Sequence, residues 1–325
     1  MSRAHYIIYG NELSYFTRKL EAALLFYGAG FELRHKSPDI AAEIEARSGT
    51  HQVPVLQTPE DWMIADTTPL IQMLDGRFPE RAMFPPGTNG VLVHLLEEYF
   101  DEWIARTMVH YRWHYEESAV FASEKMTMGN REAAARVRAW GPRACRATGT
   151  DSKIQRQAAE DEYLRLVDAM EQQLAQTRYL LGDRPTALDC VVLGGLRAHT
   201  NMDPTPKAQI AAYPRVVHWA ETATTWDGEG ELPLFEEPTG FARHVLGEMS
   251  STYVPYVMGN RAAQAAGARA FHADIYGEAV SYLSRSYPER SRQMICDRIA
   301  SLSDDARADV RQCLAAFSLD ACFPS

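Results

Sequence analysis

Ser14 stands immediately before a segment whose apolar residues Leu20, Ala23, Leu24 and Tyr27 recur with a period near 3.6. A hydroxyl in that place can donate a hydrogen bond to an anionic atom, while the helix dipole and the free backbone N–H groups add positive potential. It serves equally well as a plain N-cap that satisfies one backbone donor. Tyr9 closes the preceding apolar run HYIIY, where a phenol can make the same hydrogen bond or pack as an ordinary strand-end aromatic. Asp66 and Thr67 precede another helical stretch. A carboxylate there suits a cation and the helix N–H groups suit an anion, although an ordinary cap accounts for Thr67 as well. Pro54 lies inside the strand-like run VPVLQ. Proline cannot donate to a ladder, so it marks an edge, a bulge or a cis bond, and a cis Val53–Pro54 bond would turn the Val53 backbone outward. Gln52, beside it, is either a reaching side-chain amide or a solvated loop residue.

Further along, Trp103, His110, Tyr111, Trp113, His114 and Tyr115 crowd one helical stretch. Such a face suits an aromatic or apolar small molecule, although aromatic clusters are more often core. His110 and His114 are four residues apart, a spacing that can bind a metal, but no third ligand is identifiable and no metal is expected. Thr186 and Asp189 form a capping-box variant whose role is helix nucleation. The residues that follow, Val191, Val192, Leu193 and Leu196, make that helix nearly all apolar and therefore central.

The elements that must position these residues follow from two hydrophobic periods. His5 to Tyr9 reads as a buried strand, Ser14 to Tyr27 as a helix closed by Gly28 and Gly30, and Phe31 to Lys36 as a half-buried strand. Asp39 to Arg47 is helical, Val53 to Gln57 and Trp62 to Ala65 form a hairpin, and Asp66 to Arg77 is a third helix capped by Thr67 or Thr68. The predicted order is β-α-β-α-β-β-α. Phe78 to Gly90 holds three prolines and two glycines and breaks regular structure, so the domain boundary is placed there. Beyond it, amphipathic helical stretches are predicted at about 90–126, 152–177 and 186–200, with further ones towards the C-terminus.

The chain has 325 residues, 46% of them apolar and 23% charged, which predicts a folded chain of about two domains. Forty-three acidic residues against 33 basic ones give a net charge of −10, which repels phosphate backbones, so no nucleic-acid partner is expected. Five scattered cysteines without CxxC spacing read as free thiols in a reducing compartment. The N-terminal stretch lacks the apolar core of a signal peptide, and no segment approaches a membrane span. A cytoplasmic protein without a membrane partner is the expectation.

Three motifs carry a resemblance to the glutathione transferases. Ser14-Tyr15-Phe16-Thr17-Arg18-Lys19 resembles the S/C-P-F-x-R-K start of the first helix in the serine and cysteine types. Gln52-Val53-Pro54-Val55-Leu56 with Ile64-Ala65-Asp66-Thr67 resembles the family's QVPVL and L-x-E/D-S/T signatures, and Tyr179 to Asp189 (YLLGDRPTALD) resembles its FLLGDxPSxAD motif. Tyr213-Pro214-Arg215-Val216 and Trp219 continue the likeness. Two departures stand out: Tyr15 replaces the usual proline, and the chain runs past the family's usual end, from near Thr239 to Ser325.

The resemblance implies a thioredoxin-like α/β domain over residues 1–80 and an all-α domain over 91–325, with a family-like helical core at 91–238 and extra helices at 239–325. It implies a homodimer and an enzyme that uses glutathione as co-substrate, without metal, to attack a small hydrophobic electrophile. Ser14 would activate the thiol, with Tyr9 as rival. Phe16, Gln52, Val53, Pro54, Asp66 and Thr67 would hold the tripeptide, Asp66 pairing with its ammonium, Thr67 and the helix N–H groups holding its carboxylate, and Val53 exchanging backbone hydrogen bonds with its cysteinyl unit. Trp103, His110, Trp113 and His114 would line the second-substrate pocket. Two other functions fit the same residues: a glutathione-dependent lyase or dehalogenase, and a non-catalytic binding or scaffold protein of the same fold. Mixed-disulfide chemistry is not expected, because serine at position 14 cannot form a disulfide.

Overall fold

In the computed structural model, residues 5–232, 235 and 237–324 are described; the Met1–Ala4 lead-in and the end of the chain, Ser325, lie outside them. The run His5–Gly10 forms β1, which turns Tyr6 and Ile8 to one face of a sheet and Ile7 and Tyr9 to the other, as the period of two requires. α1 (Tyr15–Tyr27), β2 (Gly30–His35), α2 (Pro38–Ser48), β3 (Val55–Gln57), β4 (Met63–Ala65) and α3 (Thr67–Asp75) follow. The four strands form one sheet in the order β2-β1-β3-β4, with β1 and β2 parallel and the other pairs antiparallel. One face of the sheet packs with α1 and α3 into the main core, and the other is covered by α2 through Ile44. This is the thioredoxin-like arrangement the sequence predicts. α3 begins at Thr67, so Asp66 and not a threonine holds the cap position, with a φ of 72°.

After one 3₁₀ turn at Pro79–Arg81, α4 (Gly87–Glu98) starts inside the segment expected to stay irregular. The single helix anticipated over 90–126 is three pieces. α4 runs through a π turn at Tyr99–Ile104 into α5 (Ala105–His114), and Tyr115, extended at φ −94° and ψ 120°, separates α5 from α6 (Glu116–Met126). α7 (Arg131–Ala147), α8 (Lys153–Gln173) and α9 (Ala187–Gly195) come next, α9 ending in a second π turn at Leu196–Thr200. α9 lies against α1 so closely that a Cβ on Gly194 would stand 2.7 Å from the Tyr15 carbonyl and 3.0 Å from the Lys19 nitrogen. A Cβ on Gly195 would meet the Tyr15 ring at 2.8 Å. That space, together with a hydrogen bond from the Tyr15 hydroxyl to the Phe100 carbonyl at 3.1 Å, accommodates tyrosine where the resemblance predicts proline.

α10 (Pro204–Ile210), α11 (Pro214–Thr222), α12 (Gly240–Met249) and α13 (Tyr253–Ala265) continue the helical layer. The extension departs from the expected run of helices at β5 (Ala270–Ile275) and β6 (Glu278–Leu283), an antiparallel hairpin, before α14 (Ser286–Ala300) and α15 (Asp304–Ala316). The physical reason is alternation. Phe271, Ala273 and Ile275 point inward with Val280 and Tyr282, while Tyr276 and Gly277 take φ values of 52° and 76°, the turn that joins tightly twisted strands. Among the described residues no helix is long and apolar enough to cross a membrane.

Candidate functional site

The N-terminal ends of α1 and α3 and the loop before β3 meet at one cleft. Phe16 comes from α1, Gln52, Val53 and Pro54 from the loop, and Asp66 and Thr67 from the start of α3. The Val53–Pro54 bond is cis. These six residues, brought together by the fold, are the ones the resemblance assigns to the tripeptide. Thr50 and Ala65 complete this side.

Ser14 caps α1. Its Oγ accepts a hydrogen bond from the Thr17 N–H at 3.3 Å, and Ser14 is not among the residues that line the cleft. Its O–H proton is not used by that cap. Tyr9 lies on the far face of the sheet with Ile44 and Val55, and its hydroxyl donates to Gln57 Oε1 at 2.9 Å. The rival phenol is therefore committed elsewhere, because residue 9 falls on the α2 side of the pleat.

Behind the cleft, the Lys19 ammonium is buried between α1, α3 and α4, 2.5 Å from Glu97 Oε1, 2.6 Å from Asp101 Oδ1 and 2.9 Å from the Thr68 hydroxyl. Burial alone would lower its pKa, but Asp101 and Glu97 outweigh burial and hold it above the ordinary lysine value. Asp101 and Glu102 form the helical wall of the cleft. Burial raises the Glu102 pKa, opposed by the Arg285 guanidinium that pairs with it.

The aromatic residues expected to line a second-substrate pocket do not reach this cleft. Trp103 is sealed in the core, with its indole N–H donating to Glu162 Oε1 at 2.7 Å and the Arg106 guanidinium 4.2 Å from its ring centre. His110 Nε2 lies 2.7 Å from Glu160 Oε1, and His114 Nε2 lies 2.7 Å from the Thr150 carbonyl. Trp113 meets the edge of Trp140, ring centres 6.1 Å apart. The cause is packing: α6, α7 and α8 lie against α5, and the π turn before it is buried, so these aromatic side chains meet neighbouring elements of the helical unit.

Asp189 does what its spacing predicts. Its carboxylate accepts from the Thr186 N–H at 2.8 Å and the Thr186 hydroxyl at 3.0 Å, and also from the Leu180 N–H at 3.0 Å. Burial raises its pKa to about 6.

Sequence reasoning missed the fourth wall. Arg285 and Tyr287, from the extension, line the cleft, and Arg290 forms an ion pair with Asp66. No local pattern marks them, since Arg285 meets Glu102 across 183 positions of chain.

The model of the glutathione S-transferase N-terminal domain matches residues 8–82, and that of the C-terminal domain matches residues 153–222. No curated protein matches the chain. Among solved structures, a glutathione S-transferase from Rhodospirillum rubrum F11 is similar at 18% identity and a TM-score of 0.47, covering 74% of this chain and 99% of its own. A glutathione transferase homologue from Sulfitobacter, with bound glutathione, is similar at 12% identity and a TM-score of 0.42, over 69% of this chain and 94% of its own. A glutathione S-transferase from Methylobacterium radiotolerans, in complex with glutathione sulfonate, is similar at 18% identity and a TM-score of 0.44, over 69% of this chain and 92% of its own. One family model matches across the sheet and its helices and the other across α8 to α11, so the chain resembles the glutathione S-transferase superfamily in both its sheet unit and its helical unit.

Proposed function

We propose that this chain binds glutathione in the cleft between Pro54 and α3 and presents its thiolate to an electrophile, as a glutathione transferase. The observation that carries the reading is the convergence of Phe16, Gln52, Val53, Pro54, Asp66 and Thr67 on one cleft. An extended tripeptide laid along the Val53 backbone would add to the sheet edge in the manner of a peptide strand. Its γ-glutamyl ammonium would pair with Asp66, and its carboxylate would meet Thr67 and the first N–H groups of α3.

A thiol with a pKa near 8.5 is mostly protonated at neutral pH, so turnover needs a group that favours the thiolate. Ser14 is the proposed donor: its Oγ accepts the cap bond from Thr17, which leaves its own proton to offer, and α1 adds its dipole. Between Phe16 and the polar wall of Asp101, Glu102 and Arg285, the electrophile meets mixed chemistry in place of the aromatic pocket expected from α5. The homodimer usual for the family and a reducing, cytoplasmic setting belong to the same proposal; all five cysteines are unpaired, which supports the setting.

A second reading, a binding protein of this fold that has given up turnover, draws support from the absence of Ser14 from the cleft lining and from the presence of Arg285 and Tyr287 of the extension in it. Calorimetric titration of glutathione tests the binding that both readings share. Saturable binding weakened at least tenfold by Asp66→Ala is expected, since a charge-assisted hydrogen bond contributes about 1.5–3 kcal/mol. An Asp66→Ala variant with unchanged affinity would remove Asp66 from the site.

A further inference from the structure

The extension returns to the cleft and is fastened there at two points on the helical wall. Glu98 accepts from the hydroxyls of Ser291 and Tyr253, the latter at 3.1 Å, and Arg285 pairs with Glu102 while donating to the Tyr256 hydroxyl at 2.7 Å. These contacts hold the first turn of α14 beside the cleft, which Tyr287 lines. From there the Arg290 guanidinium reaches across to the Asp66 carboxylate, passing 4.8 Å from the centre of the Tyr287 ring. The cleft beside this pair holds about 130 Å³, below the roughly 300–1,000 Å³ of small-molecule pockets.

Asp66 is the carboxylate assigned to the ammonium of glutathione, and a cation of the chain's own already occupies it. We infer that Arg290 is a built-in competitor for the ammonium position, so that a ligand's cationic head pairs with Asp66 only by displacing the guanidinium. The inference rests on the glutathione reading of the cleft and deepens it. The side chains of Arg290 and Asp66 are 54% and 25% exposed, and an ion pair that exposed is weak enough for a ligand to break. The fastenings at Glu98 and Glu102 involve other residues of the extension, so Arg290 can leave Asp66 while α14 stays in place. A ligand without a cation would displace Arg290 and leave Asp66 unpaired in a partly buried site, which disfavours it. The class of ligand favoured is therefore one with a free ammonium, such as the γ-glutamyl head.

The test is calorimetric titration of glutathione into the full chain and into its Arg290→Gln and Arg290→Lys variants, at equal ionic strength. Arg290→Gln removes the competitor from a largely exposed side chain and is expected to bind glutathione about threefold to fivefold more tightly, the upper part of the range for an exposed ion pair, since Asp66 is half-buried. Arg290→Lys keeps a cation on Asp66 and is expected to stay near the affinity of the unaltered chain. Equal or weaker binding by Arg290→Gln, with glutathione still bound by the unaltered chain, would overturn the competitor and leave the glutathione reading standing. Glutathione binding by neither the unaltered chain nor Arg290→Gln would overturn both.

Discussion

Lys19 Nζ lies 2.5 Å from Glu97 Oε1, and both side chains are fully buried. Lys19 is part of the S-Y-F-T-R-K motif at the start of α1, while Glu97 belongs to α4, so the pair fastens the sheet unit to the helical unit directly behind the cleft. Burial raises the Glu97 pKa, with Lys19 acting against it. Removing one partner of such a pair leaves the other charge buried and uncompensated. Lys19→Met is expected to cost about 3–5 kcal/mol in urea unfolding, and Lys19→Met with Glu97→Gln to recover part of that loss. A Lys19→Met variant as stable as the unaltered chain would show that the knot contributes nothing to the interface.

Asp189 ties together the start of α9 and the loop that precedes it. An ordinary cap contributes about 1 kcal/mol, but Asp189→Ala also leaves the buried N–H groups of Leu180 and Thr186 without their acceptor. A loss of about 2–4 kcal/mol in urea unfolding is therefore expected, with the glutathione dissociation constant of the folded fraction unchanged. A change in affinity without a change in stability would reverse this assignment.

His94 gives the fold an acid limit. Neither ring nitrogen has a hydrogen-bond partner among the described residues, and burial, with help from the Arg298 and Lys19 charges, lowers its pKa to about 3. The unfolded chain protonates His94 near pH 6.5 while the folded chain leaves it neutral, so stability falls as pH drops from about 6.5 towards 3. The slope reaches about 1.4 kcal/mol per pH unit for one such group. His94→Leu surrenders no hydrogen bond and is expected to flatten the stability curve across that window relative to the unaltered chain. Parallel curves would contradict the assignment.

The legible part of the site consists of residues that advertise a backbone peculiarity. Pro54 breaks a strand pattern, and Asp66 and Thr67 start a helix, and each of these features is local in sequence. The sheet and its three helices were legible for the same reason, since periods of 2 and 3.6 are local. The aromatic stripe of α5 was not, because a helical period shows which residues share a face and not whether that face meets a cleft or another helix. The hairpin of the extension was hidden by composition: its strands alternate, but its turn is Tyr276-Gly277 where asparagine or aspartate before glycine would have signalled it. Arg290 and Asp66 are joined only by tertiary packing, and nothing in either local sequence anticipates their pairing.

The most direct measurement of the central claim is the ultraviolet thiolate difference spectrum of glutathione titrated into the protein at neutral pH, repeated with Ser14→Ala and Tyr9→Phe. A saturable thiolate band that Ser14→Ala loses and Tyr9→Phe keeps is the predicted result, with glutathione affinity near that of the unaltered chain in both variants. A band that survives Ser14→Ala, or glutathione bound with no thiolate band at all, would contradict the account.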